Sequence, residues 1–212
     1  MRIGILGGSF DPIHNGHLHM AVCAHDAFQL DQVWLMPTGH SPNKDETRMT
    51  DATHRFHMCE LAAYSYSWLS ASHFELDSDE RSYTYRTVEK LTKQYPMHQF
   101  FFIMGGDSLD YFEKWMHPET IAALCTILVI PRKDYDFEHL RKKIQMLHQL
   151  FPCDIYEVPC TEYTVSSTEM REKLFRGECG ENDFPAGIFT YIKENGLYRS
   201  NKGATGASEI GE

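Results

Sequence analysis

A short apolar run, followed at once by a glycine pair and then by a helical pattern, opens the chain. Ile3-Gly4-Ile5-Leu6 precedes Gly7-Gly8, and the apolar side chains after His17 recur at the spacing of one helix face. This order predicts a strand, a loop and a helix, with the loop at the carboxyl end of the strand, where open α/β sheets bind ligands. Glycine lets the backbone approach an anion closely, and the following helix offers free N–H groups to it. The segment therefore predicts a phosphate site.

Similar apolar runs recur along the chain, and helical patterns lie between them. The strands are predicted at Arg2–Leu6, Gln32–Met36, Trp68–Phe74, Gln99–Met104, Cys125–Ile130 and Asp154–Val158. After the helix that follows His17, helices are predicted at Met49–Tyr66, Thr84–Tyr95, Ser108–Lys114, Tyr135–Leu150 and Asp183–Asn195. This alternation predicts a Rossmann-like, doubly wound α/β fold with a mostly parallel sheet, in which strands run in the order 3-2-1-4-5. We expect a single domain over residues 1–199 and a flexible tail over residues 200–212, which are small, polar and without periodicity.

Composition and charge restrict the class of protein. The net charge of −10 lacks the basic character of a general nucleic-acid binder, so we expect no nucleic-acid partner. The chain starts directly with its first predicted strand, and no apolar stretch reaches membrane-spanning length, so we expect a cytoplasmic protein without a membrane partner. No Cys-x-x-Cys pair occurs, and the cysteines are therefore predicted to be buried free thiols in a reducing compartment. They are Cys23, Cys59, Cys125, Cys153, Cys160 and Cys179.

The first loop matches neither of the two common phosphate-binding motifs. The P-loop motif and the dinucleotide fingerprint Gly-x-Gly-x-x-Gly are both absent, which excludes a P-loop kinase or a dehydrogenase of that type. Instead, His14-Asn15-Gly16-His17 resembles the His-x-Gly-His signature of the nucleotidyltransferase superfamily. The resemblance implies that His14 and His17 are catalytic and that they bind ATP phosphates together with the loop residues Gly7, Gly8, Ser9 and Phe10. The alternative is a strand–turn–helix whose histidines only cap and pack.

A second glycine pair follows the fourth predicted strand. Gly105-Gly106 is succeeded by Asp107, and the expected strand order places this loop next to the first one. Gly105 and Asp107 are therefore candidates for binding ATP. Asp107 could accept a hydrogen bond from a ribose hydroxyl, cap the predicted helix Ser108–Lys114, or do both.

A serine-rich segment near the end of the chain carries a second signature. Residues 165–171 resemble the superfamily pattern Ile-Ser-Ser-Thr-x-x-Arg, with Val165 in the first place. The resemblance implies that Ser166, Ser167, Thr168 and Arg171 hold the β- and γ-phosphates. From the residues alone, the segment is predicted to be a helix capped by Ser166 or Ser167.

Segments between these motifs resemble those of bacterial nicotinate-nucleotide adenylyltransferases, in order and spacing from residue 2 to about residue 199. They cover residues 37–44, 82–87 and 194–198, together with Trp115 and Arg132. The resemblance implies that Trp115 stacks on the pyridine ring, that Tyr83 and Thr84 contact its carboxylate, and that Lys44 and Arg132 lie near phosphate. Two places depart from the family pattern, namely Asn43 and Lys133-Asp134.

The expected reaction is transfer of AMP from ATP to nicotinate mononucleotide, which forms deamido-NAD and pyrophosphate. Mg²⁺ is expected to arrive with ATP, because the chain shows no carboxylate cage, and no set of four zinc ligands emerges from its histidines. Two alternatives stay open. One is an adenylyltransferase that prefers nicotinamide mononucleotide or another phosphorylated acceptor, and the other is a non-catalytic nucleotide-binding sensor. A homo-oligomer is compatible with the sequence.

Overall fold

Within the ranges that the computed structural model describes, residues 1–40, 49–131, 136–161 and 165–199, six strands form one sheet. The strands are β1 (Arg2–Gly8), β2 (Gln32–Pro37), β3 (Leu69–Ala71), β4 (Gln99–Gly105), β5 (Thr126–Ile130) and β6 (Ile155–Glu157). The α-helices are α1 (Asn15–Phe28), α2 (Ala52–Ala63), α3 (Thr84–Gln94), α4 (Gly106–Leu109), α5 (Pro118–Leu124), α6 (Phe137–Leu150), α7 (Ser167–Arg176) and α8 (Ile188–Glu194). None of the helices in these ranges is both long and apolar enough to cross a membrane.

The sheet has the order β3-β2-β1-β4-β5-β6, and every neighbouring pair is parallel. This confirms the predicted doubly wound α/β fold and its strand order. Strands β1 and β4 are neighbours although about ninety residues separate them in the chain, as the register Arg2 to Gln99 shows. At such a switch point the connections leave on opposite faces, which opens a crevice at the carboxyl ends of the two strands.

Each face of the sheet carries its own apolar core. Along β4, Phe101 and Ile103 belong to the core beneath α1, α2, α7 and α8. Phe100, Phe102 and Met104 alternate with them and belong to the core beneath α3, α5 and α6. Both faces of a strand are apolar because a parallel sheet is covered by helices on both sides, which explains the nearly continuous apolar run of this strand.

Several predicted boundaries were wrong, and the helix predicted at Met49–Tyr66 is confined to Ala52–Ala63. Strand β3 is confined to Leu69–Ala71, since it is an edge strand that pairs only with β2 over that length. The last helix begins at Ile188 rather than Asp183, because Gly187 has a φ of +81° that ends any helix on its N-terminal side. The helix predicted at Ser108–Lys114 is divided into α4 and a 3₁₀ turn at Phe112–Lys114.

The prediction that all six cysteines are free thiols was wrong for two of them. Cys23 and Cys160 form a disulfide, with their Cα atoms 5.5 Å apart. The two residues are separated by 137 positions, so no local pattern could indicate the pairing. Cys59 and Cys125 are buried free thiols, as predicted, and burial raises the pKa of both, that of Cys125 to about 12. Both therefore stay protonated and unreactive at neutral pH.

Candidate active site

A cavity of about 350 Å³ lies at the carboxyl ends of β1 and β4, in the crevice of the switch point. It brings together most of the residues that the sequence predicted to contact nucleotides, although they come from three distant parts of the chain. The predicted residues that line it are Gly7, Gly8, Ser9, His14, His17, Gly105, Asp107, Trp115, Ser166, Ser167, Thr168 and Arg171. His19, Met20 and Thr161 also line it, and no motif had singled them out.

Other predicted residues lie elsewhere. Phe10 is fully buried and packs edge-on to the His17 ring, with 5.0 Å between ring centroids, so it supports the loop from beneath. Tyr83 and Thr84 lie at the start of α3, and among the described residues they are not part of the cavity wall. The predictions for Lys44 and Arg132, and the departures at Asn43 and Lys133-Asp134, fall outside the described residues.

His14 and His17 cap helix α1 reciprocally. The Gly16 backbone N–H donates to His14 Nδ1 at 3.2 Å, and the His14 backbone N–H donates to His17 Nδ1 at 3.3 Å. This is a capping box in which imidazoles replace the usual hydroxyl and carboxylate acceptors. The two rings lie 3.8 Å apart between centroids, so the cap holds them as one unit at the cavity wall.

The cap also selects one tautomer for each neutral ring. A ring nitrogen that accepts a hydrogen bond carries no proton, so in the neutral imidazole the proton is on the other nitrogen. With Nδ1 accepting from backbone N–H groups in both residues, Nε2 of His14 and of His17 is the N–H donor. His14 is only 3% exposed, so its ring is largely shielded from water. The capping alternative weighed for these histidines is thus compatible with a role in binding anions.

Helix α7 is tied directly to the first loop. Ser166 caps the helix by accepting from the Glu169 backbone N–H at 3.2 Å. Ser167 Oγ donates to the Pro12 carbonyl at 3.0 Å, and Arg171 Nη1 donates to the Asp11 carbonyl at 2.6 Å. These bonds hold the N-terminus of α7 beside the N-terminus of α1. Two helix N-termini and one guanidinium therefore border a single cavity, which makes it a suitable site for a polyanion.

A buried charged network supports the same loop from behind, and the sequence reasoning missed it. Arg55 of α2 is 2% exposed and donates to the Ser9 carbonyl at 2.8 Å and to the Thr50 carbonyl at 2.9 Å. The Asp11 carboxylate, 4% exposed, accepts from the Tyr198 hydroxyl at 2.6 Å and from the Thr50 N–H at 3.4 Å. Burial lowers the pKa of Arg55, and the nearby Asp11 charge opposes that shift. Burial, with Asp11 adding to it, raises the pKa of Tyr198, which stays a neutral donor.

The second glycine loop differs in detail from its prediction. Gly105 is the N-cap residue of α4, and Asp107 lies inside the first turn, so the prediction that Asp107 caps a helix at Ser108 was wrong. The helix begins earlier because β4 runs directly into it without an intervening loop. Asp107 still lines the cavity, and Trp115 lies on the same wall, half-buried and edge-on to Phe102 at 6.1 Å.

The strand order and the position of this cavity define a doubly wound α/β protein with its ligand site at the topological switch point. Residues 5–173 match the model of the cytidylyltransferase-like family, and the chain belongs to that family. It is 37% identical over 199 residues to a probable nicotinate-nucleotide adenylyltransferase of Bacillus mycoides, covering 94% of this chain and 99% of the relative. It is 36% identical to a relative of the same name from Oceanobacillus iheyensis, with 93% and 96% covered.

Solved structures share the fold. The nicotinic acid mononucleotide adenylyltransferase of Plasmodium falciparum complexed with APC matches with a TM-score of 0.74 at 20% identity, covering 93% of this chain and 96% of that one. The same enzyme complexed with NaAD matches with a TM-score of 0.73 at 22% identity, covering 93% and 97%. At these identities the likeness shows a shared fold and nothing further.

Proposed function

We propose that the protein transfers AMP from ATP to nicotinate mononucleotide, forming deamido-NAD and pyrophosphate in NAD biosynthesis. The observation that carries this is the meeting, around one cavity, of the His14-x-Gly16-His17 turn, the Ser166–Arg171 helix start and Trp115. Relatives that align over nearly the whole chain are named for this reaction. The protein is thus a nucleotidyltransferase that uses two nucleotide substrates.

The reaction needs positioning and charge stabilisation more than a strong base. The acceptor phosphate is already anionic at neutral pH and attacks the α-phosphorus of ATP in line. Gly8 and Ser9 provide the backbone surface for the phosphates, with Gly7 beside them. The Nε2 protons of His14 and His17 donate to the phosphate oxygens, on which charge builds up as pyrophosphate leaves.

The leaving pyrophosphate binds at the start of α7. Ser166, Ser167 and Thr168 provide hydroxyl and backbone donors there, and Arg171 provides a planar cation. Mg²⁺ enters as part of the ATP complex, held by substrate oxygens and water. Asp107 is the carboxylate among the described cavity residues, which fits a metal carried by the substrate rather than a protein cage. Gly105 and Asp107 bind the adenosine side of ATP.

Trp115 stacks on the pyridine ring of the acceptor. An indole face suits a flat, electron-poor ring, and this side chain lies on the cavity wall next to the second glycine loop. Lys44 and Arg132 bind the phosphate of the mononucleotide, and Tyr83 and Thr84 recognise the carboxylate. The last two reach the acceptor only if it extends from the cavity towards the start of α3.

One assay tests the reaction and its acceptor together. Purified protein is incubated with MgATP and either nicotinate mononucleotide or nicotinamide mononucleotide, and pyrophosphate release is followed. We expect release that is fast with nicotinate mononucleotide and about tenfold slower in kcat/KM with nicotinamide mononucleotide, since a buried polar group left without its partner costs about 1–3 kcal/mol and about 1.4 kcal/mol corresponds to tenfold. Preference for the amide would reassign the acceptor. ATP binding without pyrophosphate release on either acceptor would instead indicate a non-catalytic sensor.

Replacing Trp115 by alanine tests the acceptor site. Loss of a stacking interaction of about 1–3 kcal/mol should raise KM for nicotinate mononucleotide by roughly ten- to a hundredfold. KM for ATP should change little, and both constants are measured by pyrophosphate release. Trp115→Phe is the matched control, because it keeps a flat ring and should restore most of the affinity. Equal increases in both KM values would contradict stacking.

Replacing Gly8 by alanine tests close approach of the ATP phosphates to the loop. A Cβ there would meet the Phe10 ring at 3.5 Å, which is ordinary contact, so the fold should tolerate the change. KM for ATP should rise by about tenfold or more, as when at least ~1.4 kcal/mol of contact is lost. Gly180→Ala is the control, since no atom lies within 4 Å of that Cβ. An unchanged KM for ATP at unchanged Tm would show that the phosphates do not touch this glycine.

Three broader predictions stay proposals. The catalytic domain spans residues 1–199, and the tail at residues 200–212 lies outside the described residues. The protein is cytoplasmic and acts without a nucleic-acid partner.

A further inference from the structure

Three side chains that bind soft metals lie together beside the cavity, and His19 is the one of them that lines its wall. His19 and Cys23 are one turn apart on α1, and Cys160 follows β6. His19 Nε2 lies 3.2 Å from Cys160 Sγ and 3.6 Å from Cys23 Sγ. The same nitrogen is 2.7 Å from the Thr161 carbonyl oxygen. All three residues are half-buried, so a cation can reach them but they are partly shielded from water.

We propose that His19, Cys23 and Cys160 form a binding site for a thiophilic divalent cation, Zn²⁺ above all, when the Cys23–Cys160 pair is reduced. Two thiolates and one imidazole are a donor set that zinc prefers over the harder cations Mg²⁺ and Ca²⁺. The site is distinct from the metal that travels with ATP, which binds oxygen. It does not depend on the reaction proposed above.

The distances fit a tetrahedral centre. With Zn–N of about 2.0–2.1 Å and Zn–S of about 2.3 Å, a nitrogen and a sulfur on one zinc ion are roughly 3.5 Å apart. The two observed nitrogen–sulfur distances, 3.2 and 3.6 Å, lie on either side of that value. The two sulfurs, now bonded to each other, must separate to about 3.8 Å, which rotation about the Cα–Cβ bonds can supply. The fourth position then belongs to water or to an oxygen ligand.

The disulfide and the metal are alternative states of the same residues. Reduction by a phosphine breaks the S–S bond, adds one hydrogen to each sulfur and transfers the oxygen of one water to phosphorus. Binding of Zn²⁺ then releases the two thiol protons, and the single proton of the neutral His19 ring, which Nε2 donates to the Thr161 carbonyl, moves to Nδ1 so that Nε2 can bind the metal. The hydrogen bond between this nitrogen and Thr161 is replaced by the bond to the metal.

Either state ties the two halves of the cavity wall. His19 and Thr161 both line the cavity, the first on the helix that carries His17 and the second ahead of α7, the helix that Ser166 caps. The disulfide joins these segments covalently, and the metal would join them through three ligands. Reduction without metal releases the tie.

The test is cobalt and zinc binding to the untagged, full-length protein. The chain is reduced with a phosphine, freed of metal and titrated with Co²⁺, and thiolate-to-cobalt charge transfer is recorded, followed by displacement with Zn²⁺. We expect one tightly bound ion per chain with thiolate absorption in the reduced protein and no such absorption in the oxidised protein. Cys23→Ser and Cys160→Ser should each abolish the absorption. His19→Ala should weaken Zn²⁺ binding by about a hundredfold or more, since even outer partners of metal ligands cost 10–100-fold.

Two variants serve as matched controls. Cys179→Ser removes a half-buried free thiol, and His25→Ala removes another histidine of α1; neither should change the titration. The proposal is overturned if the reduced protein shows no thiolate-to-cobalt absorption. It is also overturned if the absorption survives in both Cys23→Ser and Cys160→Ser. Because the readout is metal binding, it is independent of whether pyrophosphate is released.

Discussion

His17→Ala is expected to lower kcat by about 10²–10³-fold, which is the loss found when one preorganised donor to a developing charge is removed. His17 lines the cavity, and its ring is held in place with the proton on Nε2 because its Nδ1 accepts the His14 backbone N–H at 3.3 Å. Such a donor needs no reorganisation when charge moves onto the leaving pyrophosphate. KM for ATP should rise less than kcat falls, since the interaction strengthens in the transition state. Both constants come from pyrophosphate release.

The same substitution also removes part of the helix cap, so its effect on rate must be separated from its effect on folding. Losing a cap typically costs about 1 kcal/mol of stability. His17→Gln is the matched variant, because glutamine at the third helical position can accept the same backbone N–H but has no imidazole. We expect His17→Gln to keep the Tm of the unchanged protein and still lose about 10²–10³-fold in kcat. Near-normal turnover in that variant would remove His17 from the catalytic role.

The sheet and the cavity motifs could be predicted because their signals are local. The apolar run of β4, for example, alternates between two cores, and both sets of side chains are apolar because helices cover both faces. Parallel connectivity then places Gly7-Gly8 and Gly105-Gly106 at neighbouring strand ends without further information. Ser166 caps α7 as its hydroxyl and its place before a helical pattern suggested.

Other features depend on contacts between segments that are remote in the chain, and these could not be predicted. The disulfide joins residues 137 positions apart, and Thr161 reaches the cavity from beyond the last strand. Asp107 lies two positions further into its helix than expected, because β4 enters α4 directly. The hydrogen bond from Arg55 to the Ser9 carbonyl joins residues 46 positions apart, and nothing in the helical pattern of residues 52–63 indicates that this arginine is buried.

Arg55→Ala is expected to lower the free energy of unfolding by about 3–5 kcal/mol, the usual cost of removing one member of a buried charged group. The guanidinium donates to two carbonyl oxygens, those of Ser9 and Thr50, and its positive charge compensates the buried negative charge of Asp11. With alanine, both acceptors lose their donor and the Asp11 charge is less compensated. Urea denaturation measures the change. Because Ser9 belongs to the loop that borders the cavity, kcat/KM for ATP should fall as well.

An exposed arginine and a double substitution show whether burial and charge are the cause. The Arg86 side chain is 42% exposed and lies 3.7 Å from Glu80, so Arg86→Ala should lower the free energy of unfolding far less than Arg55→Ala. If uncompensated charge explains the loss at Arg55, the double variant Asp11→Asn with Arg55→Ala should lose less unfolding free energy than the two single variants lose together. We expect a difference of about 0.5–3 kcal/mol. Strict additivity would assign the whole effect to the two carbonyl oxygens. A loss at Arg55 no larger than at Arg86 would mean that the loop holds its shape without this network, and that the strand–loop–helix alone positions the histidines.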